Sequence, residues 1–368
     1  MTDVNYIIFH NSFDKIAGTE RVIYNLLEFL SDFQNRTVTL LLASESKELA
    51  LSLAHLPVNV VYLGAEIEAD NALKLLSTHA ALYKRLSNHL KTYDKTNRYV
   101  CLATNPFLAL LIKLLANRFN LDIVVISCEH FSLSVSGKPS LITRKLFYRN
   151  VYVVTLTQQD KEAIEQKYHP KKCVCIPNAS PFEITSYNNS QRDKTILSIG
   201  RLANQKGFDL LIRSFALIAE KHPDWKLQII GDDYGEKNYL LGLIDKFALK
   251  DSVSLIPATK HIANYYKSSG FYVLSSRFEG LPMVLIEALS FGMPIVAFDC
   301  PTGPAEIVND HNGLLVKNGN IYKLADAMST LMMSQDVLLT KAVGAEHDAA
   351  AFRKDKINKL WSNLFTSI

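Results

Sequence analysis

The sequence holds only five cysteines and two tryptophans in 368 residues, and no run in it approaches 18 apolar residues. Its start, MTDVNYIIFHNSFDK, lacks the basic residues, apolar core and small-residue cleavage site of a secretory leader. Cys101, Cys128, Cys173, Cys175 and Cys300 lie mostly in apolar, strand-like runs, so buried free thiols in a reducing compartment are expected rather than a disulfide framework. Cys173 and Cys175 stand too close for a CxxC pair and no histidine follows at ligand spacing, which argues against a zinc site. Without a membrane-spanning run, the expectation is a cytoplasmic protein whose membrane contact, if any, is peripheral and on the inner face of the cytoplasmic membrane. No GxGxxG follows the first strand-like run, which excludes a Rossmann dehydrogenase.

Acidic residues are also scarce in one region. Residues 73–150 carry 12 Lys and Arg against three carboxylates, Asp94, Asp122 and Glu129, although the whole chain has a net charge of only +4. Such a concentration raises the potential seen by a polyanion, either acidic lipid head groups or nucleic acid. Two stretches here mix cations with apolar residues at helical spacing. In one, Leu75, Leu76, Ala80, Tyr83, Leu86 and Leu90 alternate with Lys74, Lys84, Arg85 and Lys91; in the other, Arg144, Lys145 and Arg149 stand among Leu141, Ile142, Leu146 and Phe147. Both read as amphipathic helices able to lie on an anionic lipid surface, with no nucleic-acid partner required.

What is present is an ordinary globular composition, 48% hydrophobic and 21% charged, in a chain long enough for two domains. Short apolar runs alternate with helical segments, the rhythm of parallel βαβ units. Seven strand-like runs fall before residue 177 and six after 193, which predicts two doubly wound, Rossmann-like α/β sheets facing an interdomain cleft. The stretch Pro177–Asp193 is rich in Asn, Ser and Pro, so the expected division is a domain at 1–180, a linker at 181–193, a domain at 194–345, and an amphipathic helix at 346–368 packed back on the body. In such sheets ligands sit at the carboxyl ends of the strands, and the informative residues follow strands here.

After the run ending at Ile199 comes Gly200-Arg201-Leu202-Ala203-Asn204-Gln205-Lys206-Gly207. Gly200 permits a sharp turn, while Arg201 offers a planar fork and Lys206 a compact charge, both suited to a diphosphate. After the run ending at Leu274 comes Arg277-Phe278-Glu279-Gly280-Leu281-Pro282-Met283-Val284, and a helix is expected from Pro282 to Phe291, stopped by Gly292 and Pro294. Its N-terminus, preceded by Gly280, suits a phosphate. Glu287, flanked by Leu285, Ile286, Ala288 and Leu289, needs a partner if it is buried.

Glu279 and Glu287 are separated by seven residues and joined upstream to GRLANQKGFD. Together these resemble the EX7E signature and phosphate loop of family-4 glycosyltransferases, retaining enzymes with the GT-B fold. The resemblance implies that Arg201 and Lys206 bind the donor diphosphate and stabilise the leaving nucleotide. It places Glu279 at the transferred sugar, the backbone of Gly280, Leu281, Pro282, Met283 and Val284 near sugar and phosphates, and Glu287 at the ribose hydroxyls. It implies a UDP-sugar donor, a glycan or lipid-linked acceptor of surface polysaccharide or lipopolysaccharide biosynthesis, and no metal or other cofactor. In the first half, Ala17-Gly18-Thr19-Glu20-Arg21 is similar to the family's GGxER turn with Ala17 in place of its first glycine, so Gly18 is the donor-site candidate. His130, after the run Asp122–Cys128, corresponds to a family histidine beside the transferred sugar. Gly231-Asp232-Asp233 resembles the family's GDG turn with Asp233 in place of glycine, and Asp299-Cys300-Pro301-Thr302-Gly303-Pro304 a loop below the sugar. A nucleotide-sugar epimerase or hydrolase on the same fold, and a non-catalytic nucleotide-binding module, are the competing readings.

Overall fold

The structure is a computed structural model, and it describes residues 4–13, 18–32, 36–45, 53, 55–65, 72–130, 133 and 138–368. Ala17 lies outside the described residues, as do the side chains of Lys74, Leu75 and Leu76. The chain divides into two compact units, one of residues 1–176 with 361–368 and the other of residues 177–360.

Among the described residues, the first unit is built on seven parallel strands: β1 (Val4–His10), β2 (Val38–Leu42), β3 (Val58–Tyr62), β4 (Arg98–Ala103), β5 (Asp122–Glu129), β6 (Tyr152–Thr155) and β7 (Lys172–Cys175), in the order β3-β2-β1-β4-β5-β6-β7. Strands covered on both faces must be apolar throughout, and Ile7, Ile8 and Phe9 of β1 are all buried. Helices Ala72–Leu90, Pro106–Phe119 and Lys138–Phe147 contribute Leu82, Leu86, Leu108, Leu115 and Phe147 to the same core. Asn105 caps the second of these, accepting from the Leu108 amide at 3.0 Å, and Pro106 occupies its first turn, where a missing N–H costs nothing.

The second unit holds six parallel strands: β8 (Asp193–Ile199), β9 (Lys226–Ile230), β10 (Val253–Ile256), β11 (Ser269–Leu274), β12 (Ile295–Asp299) and β13 (Gly313–Lys317), in the order β10-β9-β8-β11-β12-β13. Helix Phe208–Ala216 buries Phe208, Leu211, Ile212 and Phe215 on one side, each burial stabilising by about 1.5–3 kcal/mol. In both sheets the chain starts in the middle, runs to one edge, and returns to continue on the other side. The points of reversal are β1/β4 and β8/β11.

The tail differs from the single helix expected at 346–368. Helix Gln335–Ala349 runs into a 3₁₀ turn at Ala350–Phe352, and Arg353 in extended conformation separates that turn from a last helix, Lys354–Thr366. Ile357, Trp361 and Leu364 of the last helix are buried as its periodicity requires, while Leu360 is exposed. Phe365 packs edge-on against Tyr6 of β1 at 5.0 Å. Among the described residues, no helix is long and apolar enough to cross a membrane.

Candidate active site

In the second unit, the loops after β8 and β11 leave neighbouring strands at the reversal point of the sheet, the crevice position for a ligand in an open α/β fold. The Lys206 ammonium donates to Glu279 Oε1 at 2.8 Å, and Ser276 Oγ donates to the same oxygen at 2.6 Å. Their side chains are 15% and 8% exposed for Lys206 and Glu279, shielded enough to strengthen the pair and open enough to be reached by a ligand. The two loops are tied together at several points. Ser275 Oγ donates to the Lys206 carbonyl at 3.0 Å, and the Arg277 amide to the Gln205 carbonyl at 2.8 Å. The Arg277 guanidinium grips both oxygens of Asp209 at 2.8 and 2.9 Å, and these hydrogen bonds hold the pKa of the guanidinium above its ordinary value. Gly207 is required where the loops touch: its φ is 62°, and a Cβ would lie 2.1 Å from the Ser275 carbonyl oxygen.

Arg201 stands exposed with its guanidinium over the Tyr234 ring, 5.2 Å from the centroid, and among the described residues no carboxylate is within ion-pairing distance of it. Its loop is held against the Gly231 turn, where a Cβ at Gly231 would fall 1.8 Å from the Gly200 carbonyl oxygen. Asp233 does local work there. Its Oδ1 accepts the Gly235 amide at 2.8 Å and the Lys237 amide at 3.1 Å, with the Lys237 bond the largest cause of its lowered pKa.

The helix expected at Pro282–Phe291 spans Met283–Ser290, with Pro282 just ahead of it and no side chain capping its first N–H groups. Leu281 and Pro282 are buried; Gly280, Met283 and Val284 are half-buried. The Pro301–Gly303 loop props the strand-end from the other side. The Glu279 amide donates to the Pro301 carbonyl at 2.9 Å, and the Thr302 amide returns a bond to the Glu279 carbonyl at 3.0 Å. Glu287 is buried, with Oε2 accepting from the Tyr266 hydroxyl at 2.8 Å, which answers the need of a carboxylate in an apolar helix. Burial, with Glu279 adding to it, pushes the Cys300 thiol up to about 12, so this sulfur beside the site stays protonated.

The first unit has its own cluster at the β1/β4 reversal. His10, the last residue of β1, pairs through Nδ1 with Thr104 Oγ1 at 2.7 Å, and its Nε2 lies 3.5 Å from Glu20 Oε1. Glu20 belongs to the first turn of the helix that Gly18 opens, Gly18–Ser31. His130, just past β5, is half-buried. Desolvation, with His10 adding to it and Glu20 opposing, pulls its imidazole down to about 4, so it is neutral at physiological pH.

One expectation is overturned here. Arg144 does not face a lipid surface: it is buried, donating to Glu129 through Nε and Nη2 at 2.8 Å each, while Tyr148 donates its hydroxyl to the same carboxylate. Glu129 and His130 are consecutive, so this buried pair anchors the strand end that carries the histidine. Sequence reasoning also passed over Tyr266, the Asp209–Arg277 fork, Tyr234, His10 and Thr104. His10 had a usable signal, being the polar last residue of an apolar strand, as His130 is beside its own; the others needed the fold.

The family described as Glycosyl transferases group 1 matches residues 179–343. The amylovoran biosynthesis glycosyltransferase AmsD of Erwinia amylovora is 33% identical over 261 residues, covering 68% of this chain and 72% of that protein. The N-acetylgalactosamine-N,N'-diacetylbacillosaminyl-diphospho-undecaprenol 4-alpha-N-acetylgalactosaminyltransferase of Campylobacter jejuni is 29% identical over 358 residues, 93% of this chain and 94% of that one. Among solved structures, HepE of Anabaena in complex with UDP superposes with a TM-score of 0.80 at 20% identity over 100% of both chains. Two parallel-sheet, Rossmann-like units of this kind are the GT-B fold. The chain belongs to the group 1 glycosyltransferases, and its activity is hexosyl transfer.

Proposed function

We propose that this enzyme transfers a hexose from a UDP-sugar, with retention at the anomeric carbon, to a glycan or lipid-linked acceptor in the synthesis of a bacterial surface polysaccharide or lipopolysaccharide. The observation that carries the reading is the Lys206–Glu279 pair at 2.8 Å, set where β8 and β11 diverge and beside an uncapped helix N-terminus. It is supported by the names of the relatives, one in amylovoran synthesis and one acting on a diphospho-undecaprenol-linked sugar, and by the UDP bound to HepE.

In this reading Lys206 and Arg201 take the diphosphate, and the backbone from Gly280 to Val284 lies near the phosphates and sugar, with N–H groups from Gly280, Leu281, Met283 and Val284 and none from Pro282. Glu279 holds a sugar hydroxyl while its charge favours the oxocarbenium character of the anomeric carbon. Glu287, oriented by Tyr266, accepts the ribose hydroxyls. Gly18 lets the first helix approach the phosphates, and His130, held neutral, acts at the transferred sugar. The acceptor oxygen bonds to the anomeric carbon as that carbon's bond to the β-phosphate oxygen breaks. The electron pair leaves with the diphosphate, and the acceptor proton passes to a β-phosphate oxygen. Two cations and the helix dipole supply the positive charge, so the reading calls for no metal.

The test is a panel of UDP-sugars incubated with the enzyme and a membrane lipid extract, with the product's anomeric configuration read by NMR. One donor giving a product of the donor's own configuration supports the proposal. An inverted product, or turnover with GDP-sugars alone, contradicts it.

A further inference from the structure

The two cations of the loop after β8 are held in different ways. Lys206 is paired with the Glu279 carboxylate, while Arg201 lies exposed with its guanidinium over the Tyr234 ring, 5.2 Å from the centroid. Tyr234 is 52% exposed and takes no part in the buried core of its unit, so packing on the sheet does not account for an aromatic residue there. Its backbone, by contrast, is tied to the arginine's own loop. The Tyr234 and Glu236 amides both donate to the Leu202 carbonyl, at 3.1 and 3.3 Å, and the Leu202 amide donates to the Asp232 carbonyl at 2.8 Å. Leu202 directly follows Arg201, so guanidinium and ring rise from two loops joined beside the contact itself. Asp233 fixes the rest of the Tyr234 loop by accepting the Gly235 and Lys237 amides.

We propose that Tyr234 is a positioning residue for the sugar donor, its ring holding Arg201 in the orientation that meets the diphosphate. The proposal rests on the assignment of Arg201 to the diphosphate made above. An exposed arginine samples many rotamers, and the freedom it loses when a ligand fixes it is subtracted from affinity. A carboxylate could restrain it beforehand only by occupying the planar fork of donors and offsetting the charge. An aromatic ring restrains it through the face of the guanidinium, which leaves the in-plane N–H groups and the full charge for phosphate oxygens. A ring meant for the nucleobase would keep its faces clear for stacking, whereas here one face is already taken by the cation.

The experiment is titration of the full chain with UDP by calorimetry and with uridine, which carries no phosphate, by ligand-detected NMR. It compares wild type, Tyr234→Ala, Tyr234→Phe, Arg201→Ala and the double variant Arg201→Ala with Tyr234→Ala. Tyr234→Ala should weaken UDP binding roughly two- to tenfold, the scale of ordering one rotamer-rich side chain on binding. Tyr234→Phe should restore it, since the ring face makes the contact. Arg201→Ala should weaken UDP binding about 10- to 100-fold, and adding Tyr234→Ala to it should change nothing further. Uridine should bind every variant as it binds the wild type, and because both side chains are exposed, all should melt alike. Tyr234→Ala that binds UDP like the wild type, beside Arg201→Ala that does not, overturns this proposal alone, as does a Tyr234→Phe variant as weak as Tyr234→Ala. So does a loss that persists in the Arg201→Ala background or extends to uridine, which would seat the ring on the nucleoside itself. A wild type that binds no UDP, or an Arg201→Ala variant that binds it undiminished, removes the arginine from the donor site, and the proposal falls with that assignment.

Discussion

Replacing Arg144 with methionine keeps most of the side-chain volume and removes the charge that answers Glu129. The two side chains are 3% and 5% exposed and share two bonds of 2.8 Å, so the variant leaves a buried carboxylate with only the Tyr148 and neighbouring dipoles for company. Breaking a buried pair from one side costs about 3–5 kcal/mol, mostly the penalty of the stranded charge. For a unit of this size that corresponds to a fall in melting temperature of roughly 6–20 °C. Removing both charges, as in Glu129→Gln with Arg144→Met, strands nothing and should recover at least half of the loss. Calorimetry or thermal scanning of wild type, the two single variants and the double variant completes the cycle. Because Glu129 precedes His130, the single variants should also lower turnover more than they weaken UDP binding. A single variant that melts within about 2 °C of wild type, or a double variant whose loss is the sum of the singles, would refute the description of this pair as a buried, mutually dependent unit.

Lys206→Ala should weaken UDP binding by roughly 10- to 100-fold, the loss of a charge-assisted contact of about 1.5–3 kcal/mol, as read by calorimetric titration. His130 in the folded protein titrates near 4, below its ordinary 6.5, so the unfolded chain binds the proton more tightly. Its contribution to stability is therefore full above pH 6.5 and is lost as pH falls toward 4; His130→Gln should flatten that part of the acid-side decline in melting temperature. Gly303→Ala places a Cβ 2.0 Å from the Gly280 carbonyl oxygen at a φ of 94°, so it should displace the Glu279 loop and reduce UDP stabilisation even though residue 303 itself is assigned no ligand contact.

The described strands were legible in the sequence to within a residue or two, and those inside the sheets, buried on both faces, read as unbroken apolar runs. Val4–His10 stands as expected, and the run Lys194–Gly200 is observed as Asp193–Ile199. The loops that carry Lys206 and Glu279 were legible for the same reason, since each directly follows such a run. Strand order was not legible. That β8 neighbours β11, and so brings residues 206 and 279 within 2.8 Å, depends on a reversal of winding that no local pattern records. Arg144 misled because its helical spacing among Leu141, Ile142 and Leu146 is the same whether a cation faces lipid or a buried carboxylate; only the position of Glu129 at the end of β5 distinguishes the two. Tyr266 stayed hidden as an unremarkable aromatic of a short helix, Ile262–Ser268, until the fold placed its hydroxyl on Glu287.

The most direct test of the donor-site account is acceptor-dependent release of UDP from the preferred UDP-sugar by wild type, Lys206→Ala and Glu279→Ala, each first shown to be folded. The account predicts release by the wild type and a loss of at least about 100-fold in both variants, the scale of removing an electrostatic contact made to the transition state. Variants that release UDP at the wild-type rate would contradict it and move the chemistry away from the junction of β8 and β11.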